Sequence, residues 1–321
     1  MPKARDTEWI CENCKVVQSK WYGKCPNCGE FNNMIEQAKT PKSAAKPKSA
    51  KHAARNAIVP TSGLNTIPLS EIRTQDFPKI LLHSKELNTV LGGDTTPGLT
   101  PGSSVLLGGA PGAGKSTMAG AIAGFLAQQD NVLYASAEES PQQIKQRMDR
   151  MSIDSNQLYL MSETNLENIL TKAEALDPIL LIVDSIQMIY TNLSDSSPGT
   201  ITQVRECASL LNNFAKTYGI NVFAGPRQLE HIVDTTLYLE GDENGMFRVL
   251  RSIKNRFGPS PETGFFEMSS AGFIDVPNPS DILLSERNAA AAGTTIAAMI
   301  DGSKAMLVEV QALVSDSDYA N

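Results

Sequence analysis

No run of eighteen or more apolar residues occurs in this 321-residue sequence, and its first residues, "MPKARDTEW", carry no apolar stretch. A membrane-spanning helix and a secretory leader are therefore not expected, and the chain reads as soluble and cytoplasmic. Acidic residues are missing between Glu36 and Glu71, where Lys39, Lys42, Lys46, Lys48, Lys51 and Arg55 follow one another. Residues 1–60 hold eleven Lys and Arg against five Asp and Glu, although the whole chain has a net charge of −7. A segment of Ala, Lys, Pro and Ser without aromatics cannot bury enough surface to offset the entropy of ordering, so 37–60 reads as a basic flexible linker. Composition leaves it open whether that linker is a solvated tether or a non-specific contact for phosphate backbones. Thiols are scarce too. Of five cysteines only Cys207 lies outside residues 11–28, in an amphipathic stretch where a small buried residue is expected.

The other four cysteines form two C-x-x-C pairs, Cys11 with Cys14 and Cys25 with Cys28, separated by ten residues. Each pair can bring two thiolates to one ion, and the intervening segment is long enough to fold a short hairpin back so that the second pair completes a tetrahedron. Four soft thiolates with no open position describe structural zinc, whereas disulfides fit poorly with a thiol-poor cytosolic chain. A module of about thirty residues has too little core to fold alone, and structural zinc supplies about 10 to 16 kcal/mol in peptide systems. Trp9, Trp21, Tyr22 and Phe31 surround the cysteines. Packing against the site is the expectation for these rings, and stacking on a base is the alternative.

Further along, "SSVLLGGAPGAGKSTMAGAIAGFLAQQ" passes from an apolar strand through a glycine-rich turn into a helix. The run Gly109, Ala110, Pro111, Gly112, Ala113, Gly114, Lys115, Ser116, Thr117 matches a P-loop. Its backbone amides suit the phosphates of ATP, with Lys115 on the β and γ phosphates and the Ser116 hydroxyl on Mg²⁺. The strand "NVLYASAEES" ends in Glu138 and Glu139. A carboxylate there can orient or deprotonate the attacking water, a role assigned to Glu138, while Glu139 is expected to cap the next helix. "PILLIVDSIQMIY" is the apolar run of a buried parallel strand and ends in Asp184, a second partner for Mg²⁺. Helices are expected over 142–151, 165–176 and 200–217, which gives the βαβ alternation of an α/β sheet. Finally, "SIKNRFGPS" sets Lys254 and Arg256 two apart, on one face of an extended strand. They are either charges that protect an exposed edge or cations meant for an anion.

Taken with "GGAPGAGKST", "LYASAEES", "LLIVDSIQ" and "IKNRFG", the four-cysteine module and basic tether make the chain resemble the RadA (Sms) family of bacterial recombination-repair ATPases. The resemblance runs from Trp9 to about Ser315. It implies an α/β fold with a RecA-like P-loop core and a zinc-ribbon-like module, divided as a C4 zinc finger at 1–36, linker at 37–60, ATPase core at 61–297 and the start of a Lon-protease-like domain at 298–321. It also implies a DNA-dependent ATPase with helicase-like activity, assembled as a hexameric ring. Such a motor acts on single-stranded or branched DNA in branch migration, beside a recombinase or replicative helicase and away from membranes. Lys254 and Arg256 would then serve the nucleotide of a neighbouring subunit, or DNA.

Two departures from the family pattern carry expectations of their own. About ten residues, a Gly-His-Val-Thr-Lys segment among them, are missing between Phe223 and Ala224, at the end of a core strand beside the phosphates. Hydrolysis would suffer, which makes an ATP- and DNA-binding module without effective turnover the alternative. Of the Lon-like domain, only a first strand around "AMLVEVQALV" is expected. The segment "GGDTTPGLTPGSS" reads as an inserted loop. A metabolite kinase on the same P-loop would leave the tetrathiolate module and tether unexplained.

Overall fold

The computed structural model describes residues 7–38 except 12, 15, 19, 30, 32 and 33; residues 68 and 70; and residues 78–314 except 225–228, 242–246, 285–292 and 313. The linker expected at 37–60 lies outside the described residues beyond position 38. Contacts divide the chain into two units, Met1–Lys48 and Ser49–Asn321.

In the first unit, β1 (Thr7–Cys11) pairs antiparallel with β2 (Val17–Gln18) on one side and with β3 (Met34–Ala38) on the other. Its core is small. Cys11, Cys25 and Met34 are buried, with Trp9, Val16 and Tyr22 against them, and so little apolar burial cannot offset the entropy of ordering the strands.

The second unit is built on a nine-stranded sheet. Six strands run parallel: β4 (Ser104–Gly109), β5 (Val132–Ser136), β6 (Leu158–Ser162), β7 (Leu180–Asp184), β8 (Asn221–Ala224) and β9 (Thr235–Gly241). An antiparallel extension, β10 (Phe247–Asn255), β11 (Thr263–Ser269) and β12 (Gly272–Asp275), continues from β9, giving the order β12-β11-β10-β9-β4-β8-β7-β5-β6. Central parallel strands are covered on both faces, which is why β4, β5 and β7 read as unbroken apolar runs. Side chains alternate between two layers. Val105 and Leu107 join one core cluster with Ile122 and Met148, while Leu106 joins the other with Leu211 and Ala215. Each such fully buried aliphatic side chain contributes about 1.5–3 kcal/mol.

Helices begin where the sequence offers caps. α1 (Lys85–Gly92) starts on Ser84, α2 (Lys115–Leu126) on Gly114, α3 (Pro141–Arg150) on Ser140, α4 (Leu166–Leu176) on Asn165 and α5 (Ile201–Tyr218) on Thr200; α6 (Pro279–Leu283) is a short turn. At α3 the Ser140 side chain accepts from the Gln143 amide while Gln143 Oε1 accepts from the Ser140 amide at 2.9 Å. This corrects the role expected of Glu139. Ser140 is the cap, and Glu139 forms an ion pair with Arg147, two turns into the helix.

The segment between α1 and β4 is a loop, as expected, pinned at Leu99, which is buried and exchanges backbone bonds with Ile80 at 2.8 and 2.9 Å. The C-terminal segment holds two strands, not one, and they start earlier than 298. β13 (Thr294–Asp301) and β14 (Lys304–Gln311) form a hairpin because Gly302, at φ 64, supplies a tight turn. Asp301 holds that turn to the core by accepting from Arg251 at 2.6 Å and Thr263 at 3.0 Å.

Candidate functional site

The glycine-rich turn leaves the C-terminal end of β4 and enters α2 with no intervening loop. Two of its glycines are required by geometry. A Cβ on Gly109 would sit 2.5 Å from the Leu239 carbonyl oxygen, and one on Gly114, at φ 103, would sit 2.5 Å from Met268. Lys115 Nζ folds back to donate to the Gly109 and Ala110 carbonyls at 3.0 and 2.9 Å. Arg248, on β10, braces the turn from outside by donating through Nε to the Ala113 carbonyl at 3.1 Å.

A cleft of ≈ 570 Å³ opens over this turn. Gly109, Pro111, Gly112, Lys115 and Ser116 line one side and Glu138, Asp184 and Ser185 the other. Among the remaining members of the expected loop, Ala110 contributes its carbonyl, Ala113 is buried, and Thr117 is half-buried in the first turn of α2. β5 and β7 are adjacent and in register, Ser136 opposite Asp184, so the carboxylates that follow them meet at one edge of the sheet. Ser185 donates its hydroxyl to Glu138. Asp184 Oδ2 accepts from the Tyr134 phenol at 2.8 Å. Burial, followed by the Asp184 charge, pushes the Tyr134 phenol far up, so it remains a donor. With the Ser116 hydroxyl across the cleft, Asp184 forms an oxygen donor set of the kind that suits Mg²⁺.

Lys254 and Arg256 lie elsewhere. β10 pairs with β9 as far as Asn255 but with β11 only as far as Arg251, so Lys254 and Arg256 lie beyond the β11 pairing. Lys254 pairs with Thr236, which pairs with Leu106; the Arg256 amide bonds the Asp234 carbonyl, and the Asp234 amide bonds the Ser104 carbonyl. This is the start of β4, whereas the P-loop leaves its end. Five residues at 3.3 Å each separate the two levels by about 16 Å. Lys254 donates to the Glu230 and Val233 carbonyls at 2.6 and 2.8 Å, and Arg256 Nη1 to Asp234 at 3.1 Å. Desolvation first, and then the Arg256 charge, lower the Lys254 pKa.

In the first unit the Cys11 and Cys28 sulfurs are 3.6 Å apart, as are those of Cys14 and Cys25, and all four lie within 4.8 Å of one another. A tetrahedral Zn–S₄ site has S–S edges of about 3.8 Å, so this donor set fits structural zinc. The Asn27 side chain, and then the Val16 backbone, lower the Cys14 thiol to about 6, and the Cys28 backbone lowers Cys25. The aromatic rings divide. Trp9 and Tyr22 pack at the cluster, whereas Trp21 and Phe31 are 50% and 67% exposed, against the expectation that all four pack. Lys24 lies 5.0 Å from the Phe31 ring and Lys20 5.4 Å from that of Tyr22.

Comparison with known proteins matches residues 9–36 to the rubredoxin metal binding domain and residues 94–224 to the AAA domain. DNA repair protein RadA of Bacillus subtilis is 41% identical over 98% of this chain and 69% of its own length. The RadA proteins of Halalkalibacterium halodurans and Listeria monocytogenes are each 40% identical, over 99% and 100% of this chain. The chain belongs to the RadA family. It therefore combines a zinc ribbon with a P-loop ATPase core of the AAA and RecA-like kind. Among solved structures, a KaiC-like protein from Pyrococcus horikoshii aligns with a TM-score of 0.49 at 20% identity, covering 59% of this chain and 98% of its own.

β8 pairs with β4 as far as Leu106 and with β7 as far as Ile182. A cavity of ≈ 60 Å³ lies between Leu107, Phe223, Ile182 and Lys115. Sequence reasoning missed Ser185, Tyr134 and Tyr238. The first two stand beside or within the quoted strands. Tyr238 reaches the cleft only because β9 pairs Tyr238 with Gly108, which no local pattern reveals.

Proposed function

We propose that this chain is the DNA-dependent ATPase of a recombinational repair motor, working as a ring on single-stranded or branched DNA. The observation that carries the reading is the separation of Lys254 and Arg256 from the P-loop by the length of β4. Cations at one end of a sheet and a phosphate cradle at the other serve the same reaction when subunits stack head to tail. A transition-state arginine supplied by a neighbour is worth about 10³ to 10⁵ in rate. An isolated subunit then hydrolyses slowly.

Within one subunit, the turn from Gly109 to Thr117 grips the phosphates, and Lys115 leaves its two carbonyl partners to neutralise the β and γ oxygens. Glu138 orients the attacking water and takes its proton, with Ser185 fixing the carboxylate. Mg²⁺, held by Ser116 and Asp184, would supply charge neutralisation across the phosphates. Domain roles follow the same plan: a zinc ribbon over 1–36, a basic tether over 37–60, a core over 61–297 and the beginning of a Lon-like domain at 298–321, with its hairpin starting at Thr294. Exposed Trp21 and Phe31 beside Lys20 and Lys24 support a role for the ribbon in contacting single-stranded DNA. Branch migration, helicase-like unwinding, a hexameric ring, a recombinase or replicative helicase partner and a cytoplasmic location belong to this same reading.

A second reading rests on the segment expected to be missing between Phe223 and Ala224: without it the chain would bind ATP and DNA without turning ATP over. Phosphate release with and without single-stranded DNA separates the two. DNA-stimulated turnover abolished by Glu138→Gln supports the motor; saturable ATP binding without release supports the binding module.

A further inference from the structure

Asp234 is a buried carboxylate, 2% exposed, that no step above employs. Its Oδ2 lies 3.2 Å from the Ser104 amide, which donates to it, and 3.0 Å from the Ser104 hydroxyl. The Asp234 amide in turn lies 3.1 Å from that hydroxyl. These contacts fasten the side chain to the first residue of β4, the strand that ends in the P-loop. Oδ1 faces the other way, toward Arg256 at 3.1 Å and Lys216 at 3.5 Å. The carbonyl of the preceding residue, Val233, holds Lys254.

We propose that Asp234 is a positioning residue that aims Arg256, and through its own loop Lys254, at the nucleotide of a neighbouring subunit. The proposal rests on the trans reading of those cations given above. Two features set it apart from simple charge compensation of a buried acid. Lys216 already offers a countercharge to Oδ1. Arg256 binds by Nη1 alone; among the described residues nothing engages Nε or Nη2, and the side chain is 49% exposed. A planar guanidinium anchored at one corner keeps the rest of its fork free for phosphate oxygens, in a direction set by the anchor. Mispositioning by about 1 Å costs on the order of a hundredfold in rate, so an arginine tethered to β4 is worth far more than a free one.

The test compares Asp234→Asn, Asp234→Ala and Arg256→Ala in the full chain, each alone and mixed with Glu138→Gln subunits. Asparagine keeps the side-chain shape: its oxygen still accepts from Ser104, and its NH₂ then faces Arg256, removing the acceptor without opening a cavity. The Asn variant therefore carries the test if the Ala variant fails to fold. For Asp234→Asn the expectation is an unchanged KM for ATP and a kcat lowered about tenfold or more. Mixing should restore turnover, because Glu138→Gln subunits still lend an intact Arg256 to the Asp234→Asn sites. Full kcat in Asp234→Asn overturns the proposal, as does a loss that mixing leaves in place while Arg256→Ala is rescued; in both cases the trans reading survives. If Arg256→Ala itself is not rescued by mixing, the trans reading fails and the proposal with it.

Discussion

The Tyr134 phenol donates to Asp184 Oδ2 at 2.8 Å, linking a fully buried ring on β5 to a carboxylate that faces the nucleotide cleft from β7. The bond holds one carboxylate oxygen and leaves the other for a cation. Tyr134→Phe should keep the fold at a cost of about 0.5–1.5 kcal/mol, the net value of one such bond. It should also raise the Mg²⁺ concentration needed for half-maximal ATPase activity. Equal Mg²⁺ dependence in the two proteins would show that the Tyr134 bond does not set Asp184 for metal binding.

Lys115→Ala removes the only side-chain cation among the described residues that line the cleft. ATP hydrolysis should fall to background, while the melting temperature stays close to that of the unsubstituted chain because the lysine contacts only loop carbonyls. Turnover in this variant comparable with the parent would remove the P-loop assignment.

Zinc removal should affect only the first unit. With Cys11, Cys25 and Met34 as its buried core, the ribbon should lose its structure on chelation or in Cys25→Ser. The second unit, with its own two core clusters, should still melt cooperatively. Circular dichroism and one-equivalent zinc analysis check this.

Cys207 makes a sharper statement about reactivity. Burial pushes its thiol up to about 11, ahead of the Glu167 and Glu206 charges. At pH 8 the thiolate fraction is then about one in a thousand, so a thiol reagent should leave Cys207 unmodified until the chain unfolds. Because the folded pKa is raised, protonated Cys207 contributes its full stability below the unfolded value near 8.5 and loses it as pH rises through the folded value. Fast labelling in the zinc-loaded native protein would contradict the burial.

Single-stranded DNA affinity should fall steeply with salt, since lysines that neutralise phosphates release counterions. Trp21→Ala should weaken binding by about 1–3 kcal/mol with the salt slope unchanged, because a stacking ring carries no charge. Intrinsic fluorescence quenched on titration with oligonucleotide reads both. A variant with parental affinity would remove Trp21 from the DNA surface.

Much of the core was legible in advance. Helices expected at 142–151, 165–176 and 200–217 appear as Pro141–Arg150, Leu166–Leu176 and Ile201–Tyr218, because capping residues and periodicity act within one or two turns. Glu139 misled for a related reason: a carboxylate suits a helix start, but Ser140 was closer and Arg147 drew the charge away. The hairpin strand β13 was missed, although Gly302 marks the turn that separates it from the strand expected around "AMLVEVQALV".

What the amino-acid order determined alone is whatever a continuous backbone can encode: a phosphate-cradling turn in nine consecutive residues and four thiols at a spacing that closes on one ion. Tertiary structure decided what those parts face. The register of β10 on β9 carries Arg256 to the end of the sheet opposite the P-loop, and Asp234, 22 residues earlier, becomes its anchor only through that pairing. Local sequence cannot specify such contacts because they arise from strand order, which is settled when the whole apolar surface of the sheet is buried at once.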